Sequence, residues 1–264
     1  MKRLLRGLRG GLAFETTFPI GKGEEDFRSF VNRSYLFPVI GLIVGGLLGG
    51  IGILLSFVPQ FIDAGLFMVG LYLICGILHT DGLADFADGL VTGGTHSERK
   101  AVMKDEKTGA AGLVTILVTN LLLFSGLVEL FAVEEPLFLF FVILSAEVLS
   151  REITLSLLFV GRSAHEGLGS MFIEEAGPWG WVGGTFISIV LLVVFWGPLS
   201  LVPLAVALAV GYVILRLGYR VIGGLNGDIV GAAAELVRPL VIITFVLLSQ
   251  LDVSVFFRIG GIIF

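Results

Sequence analysis

The sequence predicts an all-α, polytopic membrane bundle of about seven transmembrane helices with an acidic metal site at its cytoplasmic face. Three observations predict it. First, of 264 residues 56% are hydrophobic and 15% charged, against roughly 25% charged in an ordinary soluble domain. Second, the apolar residues gather in continuous runs of membrane-crossing length, not in the alternating ten-residue segments of a β-barrel. Third, carboxylates gather in one short segment after the second run. A soluble fold of this length has too much surface facing water to hide so much apolar material. Disorder, collagen and coiled coil each need more polar residues or a strict repeat.

The N-terminus is basic, with Lys2, Arg3, Arg6 and Arg9. No apolar segment follows at leader-peptide distance, so a cleaved signal is not expected. A helix needs about 20 apolar residues to cross roughly 30 Å of hydrocarbon. Leu36–Phe57 is the first such run and carries no charge. Phe61–Leu78 is the second, with Asp63 near its mouth. Gly112–Val128 is the third. Leu137–Val160 is the fourth and carries Glu147, Arg151 and Glu152. Ala176–Leu215 holds 40 residues without a charge, with Gly197-Pro198 near its middle. That pattern reads as a hairpin, spans five and six. Pro239–Phe257 is the seventh, interrupted by Asp252.

Lysine and arginine placement orients the spans. With the N-terminus inside, seven cations precede span one. The 79–111 loop adds Arg99, Lys100, Lys104 and Lys107; Arg162 follows span four; Arg216, Arg220 and Arg238 lie between spans six and seven. Fifteen of the 17 cations then share one side, leaving Arg258 outside and Arg151 within a span. The outer loops at Val58–Gln60, Ala132–Pro136 and Gly197–Leu199 carry none. The expectation is a multi-pass protein of the cell membrane whose polar face meets the cytoplasm. No fixed-period repeat and no linker divides the chain, so residues 1–264 read as one domain. A single cysteine, Cys75, excludes an intrachain disulfide framework. The net charge of −5 does not suggest a nucleic-acid partner.

The chemistry is expected after span two. Residues 79–90 read His-Thr-Asp-Gly-Leu-Ala-Asp-Phe-Ala-Asp-Gly-Leu. On a helix, Asp81, Asp85 and Asp88 share one face, opposite Leu83, Phe86, Ala87 and Leu90. Like charges at this spacing repel, and interior glycines cost about 1 kcal/mol each. A compensating cation is therefore expected, and hard carboxylate oxygens suit Mg²⁺ or Mn²⁺. Further along, Arg99 and Lys104 are candidates for phosphate oxygens, and Asp105 for a fourth metal ligand. His79 flanks the acidic run. Glu147 and Arg151 sit one turn apart inside a span, where charges pair or serve function; Arg151 is a candidate substrate contact. The glycine-rich stretch 223–231 contains Asn226 and Asp228, further substrate or metal candidates.

The segment Leu78–Leu90 resembles the cobalamin synthase family, adenosylcobinamide-GDP ribazoletransferase. Phe14–Ile20 (FETTFPI) resembles its N-terminal signature, without the basic residue usual before the proline. Phe37–Gly41, Glu98-Arg99, Met103-Lys104-Asp105 with Gly109, Glu166–Gly169 and Asn226–Asp228 extend the likeness over nearly the whole chain. The resemblance implies a Mg²⁺-dependent membrane enzyme. It would join adenosylcobinamide-GDP to α-ribazole or its 5′-phosphate, releasing GMP, by attack of an alcohol on the phosphorus of the cobinamide arm. In that reading Asp81, Asp85, Asp88 and Asp105 hold metal, and Arg99, Lys104, Arg151, Asn226 and Asp228 contact substrate. His79, Asp81 and Lys104 act on the reacting groups, with His79 or one of the Asp residues as base. A weaker likeness exists as well. Asp85-x-x-Asp88-Gly89 matches the start of the CDP-alcohol phosphotransferase signature, but Thr92-Gly93 stands where that family has Ala-Arg. A lipid-forming phosphotransferase is the alternative. A secondary transporter would place ionisable residues at mid-membrane in paired repeats, and no repeat occurs here.

Overall fold

The computed structural model describes residues 2–133 and 135–251, and the backbone of 258–259 and 262–263. Asp252 and the end of the expected seventh span lie outside the described residues, as does the Arg258 side chain. Helices follow in the order α1 (Lys2–Glu15), α2 (Glu24–Val31), α3 (Leu36–Leu55), α4 (Ile62–Cys75), α5 (Leu78–Val91), α6 (His96–Val102), α7 (Ala110–Ala132), α8 (Pro136–Val160), α9 (Leu168–Glu175), α10 (Pro178–Trp196), α11 (Leu201–Ile222) and α12 (Gly227–Ser249). Residues 258–259 and 262–263 pair as two short antiparallel strands.

Among the described residues, four helical stretches are long and apolar enough to cross a membrane: α3, α7, Pro178–Ile222 and α12. A fifth exists if α4 and α5, which meet at 94°, form one broken span. The stretch Pro178–Ile222 turns back on itself. In α10, Trp181 donates to Ser156 and Trp196 to Ser145, so this helix runs against α8. In α11, Gly211 lies against Ile153, and the Tyr219 hydroxyl accepts from the Arg162 amide, so this helix runs with α8. Gly197, at φ +55°, supplies the reversal in a conformation that side chains strain to adopt. The hairpin read from Gly197-Pro198 is what the contacts describe.

The axis of the bundle is α8. Its residues from Val142 to Leu155 are all buried, and α3, α10, α11 and α12 pack around it. The α3 face is a row of small residues. A Cβ at Gly41 would sit 2.7 Å from the Glu147 carbonyl oxygen, and one at Gly45 2.8 Å from the Leu144 Cα. Backbones come this close only where neither helix carries a side chain between them. Glu152 in α8 accepts from Ser156, Thr185 and Ser188, which ties α10 to the axis through hydroxyls.

One boundary differs from expectation. The last long helix starts at Gly227, and Pro239 lies within it. Glu235 and Arg238 belong to this helix and not to a cytoplasmic loop, and Arg238 is 2% exposed. Arg238 is met by Glu235 of its own helix and by Glu147 of α8. Charge alone therefore does not end a helix when the neighbour carries the opposite sign.

Candidate active site

The acidic run forms α5, as its spacing predicts. After Gly76, at φ +69°, the chain leaves the line of α4 and α5 lies across the ends of α7 and α12. It presses closely on α12: a Cβ at Gly82 would sit 2.7 Å from the Asp228 Cα. This contact carries Asp228 to the face of α5 that holds Asp81 and Asp85. Burial and then the like charges of Asp81, Asp228 and Asp88 push the Asp85 carboxyl up to about 7. Lys104, in the turn after α6, is near enough for its charge to act on both Asp228 and His165.

Asp88 shares the helix but faces a different partner. Its Oδ2 accepts from the Gly109 amide at 2.6 Å and its Oδ1 from the Gly112 amide at 2.9 Å. These are orphan donors of the first turn of α7, so Asp88 caps that helix from outside. Both partners are glycines for a reason. A Cβ at either would fall 2.5–2.6 Å from an Asp88 oxygen.

The remaining expected residues divide between two places. Asn226 is the N-cap of α12: its side-chain oxygen accepts from the Ile229 amide at 3.0 Å, and its Nδ2 donates to Asp228 at 2.6 Å. Asp105 turns onto its own loop and accepts from the Lys107 amide at 3.1 Å. Arg99 Nη1 reaches the Arg220 carbonyl at 3.5 Å. Arg151 is fully enclosed and pairs with Glu15 and Glu147, both at 2.9 Å. Among the described residues, no three His, Cys, Asp or Glu side chains converge closely enough to cage an ion. The donor chemistry nonetheless fits Mg²⁺, which takes one or two carboxylates and keeps several waters.

Beneath this face runs a line of alternating charge, Glu15, Arg151, Glu147, Arg238 and Glu235, with His79 against its Glu15 end. Glu15, Glu235, Arg238 and His165 carry no role in the sequence reading. Glu15 had one available signal, its place in FETTFPI. Burial alone raises a carboxyl, but Arg151 and His79 overturn that effect and hold Glu15 down at about 2. Between α1, α5, α8, α9 and the start of α12 lies a cavity of about 270 Å³. Glu15, His79, Asn226 and Asp228 line it, as do Phe14, Phe37 and Phe172.

Fold and site define a helical bundle with several span-length apolar helices and a carboxylate-rich face at their ends. A family model for cobalamin-5-phosphate synthase matches residues 7–246, and the chain belongs to that family. The adenosylcobinamide-GDP ribazoletransferase of Methanocella arvoryzae is 36% identical over 255 residues, covering 89% of this chain and 93% of the relative. That of Halorubrum lacusprofundi is 35% identical, covering 89% and 94%. The enzyme of Thermococcus kodakarensis is 32% identical, covering 88% and 94%. No solved structure matches the chain.

Proposed function

We propose that this chain is an integral membrane transferase that joins adenosylcobinamide-GDP to α-ribazole or its 5′-phosphate and releases GMP, the final assembly step of cobalamin. The observation that carries this reading is the meeting of Asp81, Asp85 and Asp228 beside Lys104 in a chain of this family. Carboxylates at close quarters with a raised carboxyl mark a place prepared for a cation. The relatives' shared name favours this reading over a CDP-alcohol phosphotransferase.

One or two of the carboxylates of Asp81, Asp85 and Asp228 would hold Mg²⁺, with waters completing its shell, and Asp105 would join them by leaving its own loop. When bound, Mg²⁺ neutralises the diphosphate and the charge that gathers on the departing GMP. Lys104 supports the same oxygens as a point charge with three donors. Asp88 fixes α5 against α7 and so sets the height of its neighbours. His79, held by Glu15, is placed to accept the proton of the attacking hydroxyl.

We read α3, α4, α7, α8, α10, α11 and α12 as the seven spans, of which α3, α7, the α10–α11 stretch and α12 are by themselves long and apolar enough to cross. With the N-terminus inside, α5, α6 and the start of α12 face the cytoplasm. A cysteine placed at Ser97 in a Cys75→Ser background should resist impermeant reagent in intact cells, and efficient labelling there overturns the orientation. The decisive activity test is purified protein with adenosylcobinamide-GDP, α-ribazole and Mg²⁺, followed by corrinoid chromatography. Formation of adenosylcobalamin with release of GMP is expected; intact adenosylcobinamide-GDP under these conditions sinks the reading.

A further inference from the structure

The cavity at the start of α12 is unlike the acidic face beside it. One end is aromatic. The Phe172 ring centroid lies 5.4 Å from those of Phe14 and Phe37, and Leu158 and Val230 extend this wall. The other end is polar. Glu15 Oε2 is taken by Arg151 and His79, but Oε1 is buried with no hydrogen-bond partner among the described residues. A buried acceptor on an ionised carboxylate without a donor is costly, and a ligand hydroxyl relieves that cost.

His79 adds direction. Its Nε2 lies 3.2 Å from Glu15 Oε2, which fixes the plane and direction of the ring. His79 Nδ1 is the ring's other polar atom. It lies against Gly231, where a Cβ would sit 2.9 Å away. Both residues line the cavity, so a glycine keeps open the space that Nδ1 faces.

Size and charge limit the occupant. At about 270 Å³ the cavity lies just below the roughly 300–1,000 Å³ of small-molecule sites, too small for a corrin ring with its amide arms. No lysine or arginine lines it among the described residues, while the carboxylates of Glu15 and Asp228 do. A phosphate is repelled there. The fitting ligand has a flat apolar bicyclic base at one end and sugar hydroxyls at the other.

We infer that this cavity is the acceptor subsite: the benzimidazole-type base of the nucleoside lies among Phe14, Phe37 and Phe172, and its ribose hydroxyls meet Glu15 Oε1 and His79 Nδ1. The inference rests on the transferase reading above. Any phosphate on the acceptor stays at the mouth, towards Lys104. Asp228 is shared between the cavity and the acidic face, so the sugar end is next to the place where the diphosphate is held.

The test is steady-state kinetics of Glu15→Gln and Gly231→Ala with each substrate varied in turn. Loss of a hydrogen bond to a charged group corresponds to about a ten- to hundredfold weakening. Glu15→Gln should therefore raise KM for α-ribazole by that factor, with KM for adenosylcobinamide-GDP nearly unchanged. Gly231→Ala should show the same split. An equal rise for both substrates, or one confined to the corrinoid, overturns the assignment. Should these variants fail to fold, a photoreactive benzimidazole riboside on the native enzyme, with saturating adenosylcobinamide-GDP, decides the matter. Label is expected in peptides carrying residues 14–37 or 158–172, and label confined elsewhere overturns the subsite. If the native enzyme makes no cobalamin, the transferase reading fails; if it makes cobalamin but labels elsewhere, only the subsite fails.

Discussion

At the α5 face, Asp81, Asp85 and Asp228 stand close to one another, with Lys104 as a nearby cation. A short distance inside, Glu15, Glu147 and Glu235 alternate with Arg151 and Arg238. Both groups consist of charges that apolar surroundings penalise. In the interior each charge has an opposite neighbour at contact distance, so charge is balanced even though Glu15 Oε1 keeps no hydrogen-bond partner among the described residues. At the face, like charges are gathered and one carboxyl is driven towards its neutral form. Matched charges hold helices together. Unmatched ones are a demand for something from outside.

The largest effect should come from unmatching the interior. Arg238→Met leaves Glu147 and Glu235 without their shared cation, and breaking a buried pair costs about 3–5 kcal/mol. Unfolding in detergent measures this; an unchanged melting temperature would mean that the interior line is not structural. Next in size is the response to metal. At a hundredfold excess over Kd, Mg²⁺ should stabilise the native protein by about 2.7 kcal/mol. Asp85→Asn should abolish most of that shift along with turnover. An equal shift in the variant removes Asp85 from the ligand set.

Two carboxylates on one helix then separate the roles. Asp88→Asn should cost about 1 kcal/mol by weakening the cap on α7, whether or not metal is present. Asp85→Asn should not destabilise the metal-free protein. The Asp85 carboxyl is raised from an ordinary 3.8 to about 7 in the folded state. Its contribution to stability is therefore complete at acid pH and disappears as pH rises through about 7. Metal-free melting temperatures compared at pH 6 and pH 8 should show this slope in the native chain and a weaker one in Asp85→Asn. Identical slopes would break the distinction. The smallest effect is expected from Asp105→Asn, whose side chain already satisfies its own loop. Added Mg²⁺ should restore its activity, and it should not restore Lys104→Met, whose defect lies in phosphate contact.

Much of this molecule is legible in its sequence because hydrocarbon is an undemanding reader. Uncharged runs such as 36–57 and 176–215 have few alternatives to helices, and Gly197-Pro198 marks the turn between two of them. The acidic helix is legible because Asp81, Asp85 and Asp88 repeat at helical spacing. The orientation of each carboxylate is another matter. Whether Asp88 turns to a metal or to an amide depends on where α7 begins in space, and no local pattern encodes that. Pro239 was a misleading boundary for the same reason: Glu235 and Arg238 look like loop residues until α8 supplies Glu147. Glu15 is the first carboxylate of the chain, and only its partners Arg151 and His79, far along the chain, reveal what it does. The glycines of α3 carry meaning only once α8 is set against them.

The cap that Asp88 places on α7 has a mechanical consequence. A long helix is held at its end by a side chain that belongs to another helix, through two bonds about three residues apart. Sliding either element along the other by a single residue breaks both bonds together. The two helices are therefore coupled at this point, so a tilt of α7 would be passed to α5. With the chemistry proposed for α5, membrane thickness would then set the height at which it meets the water.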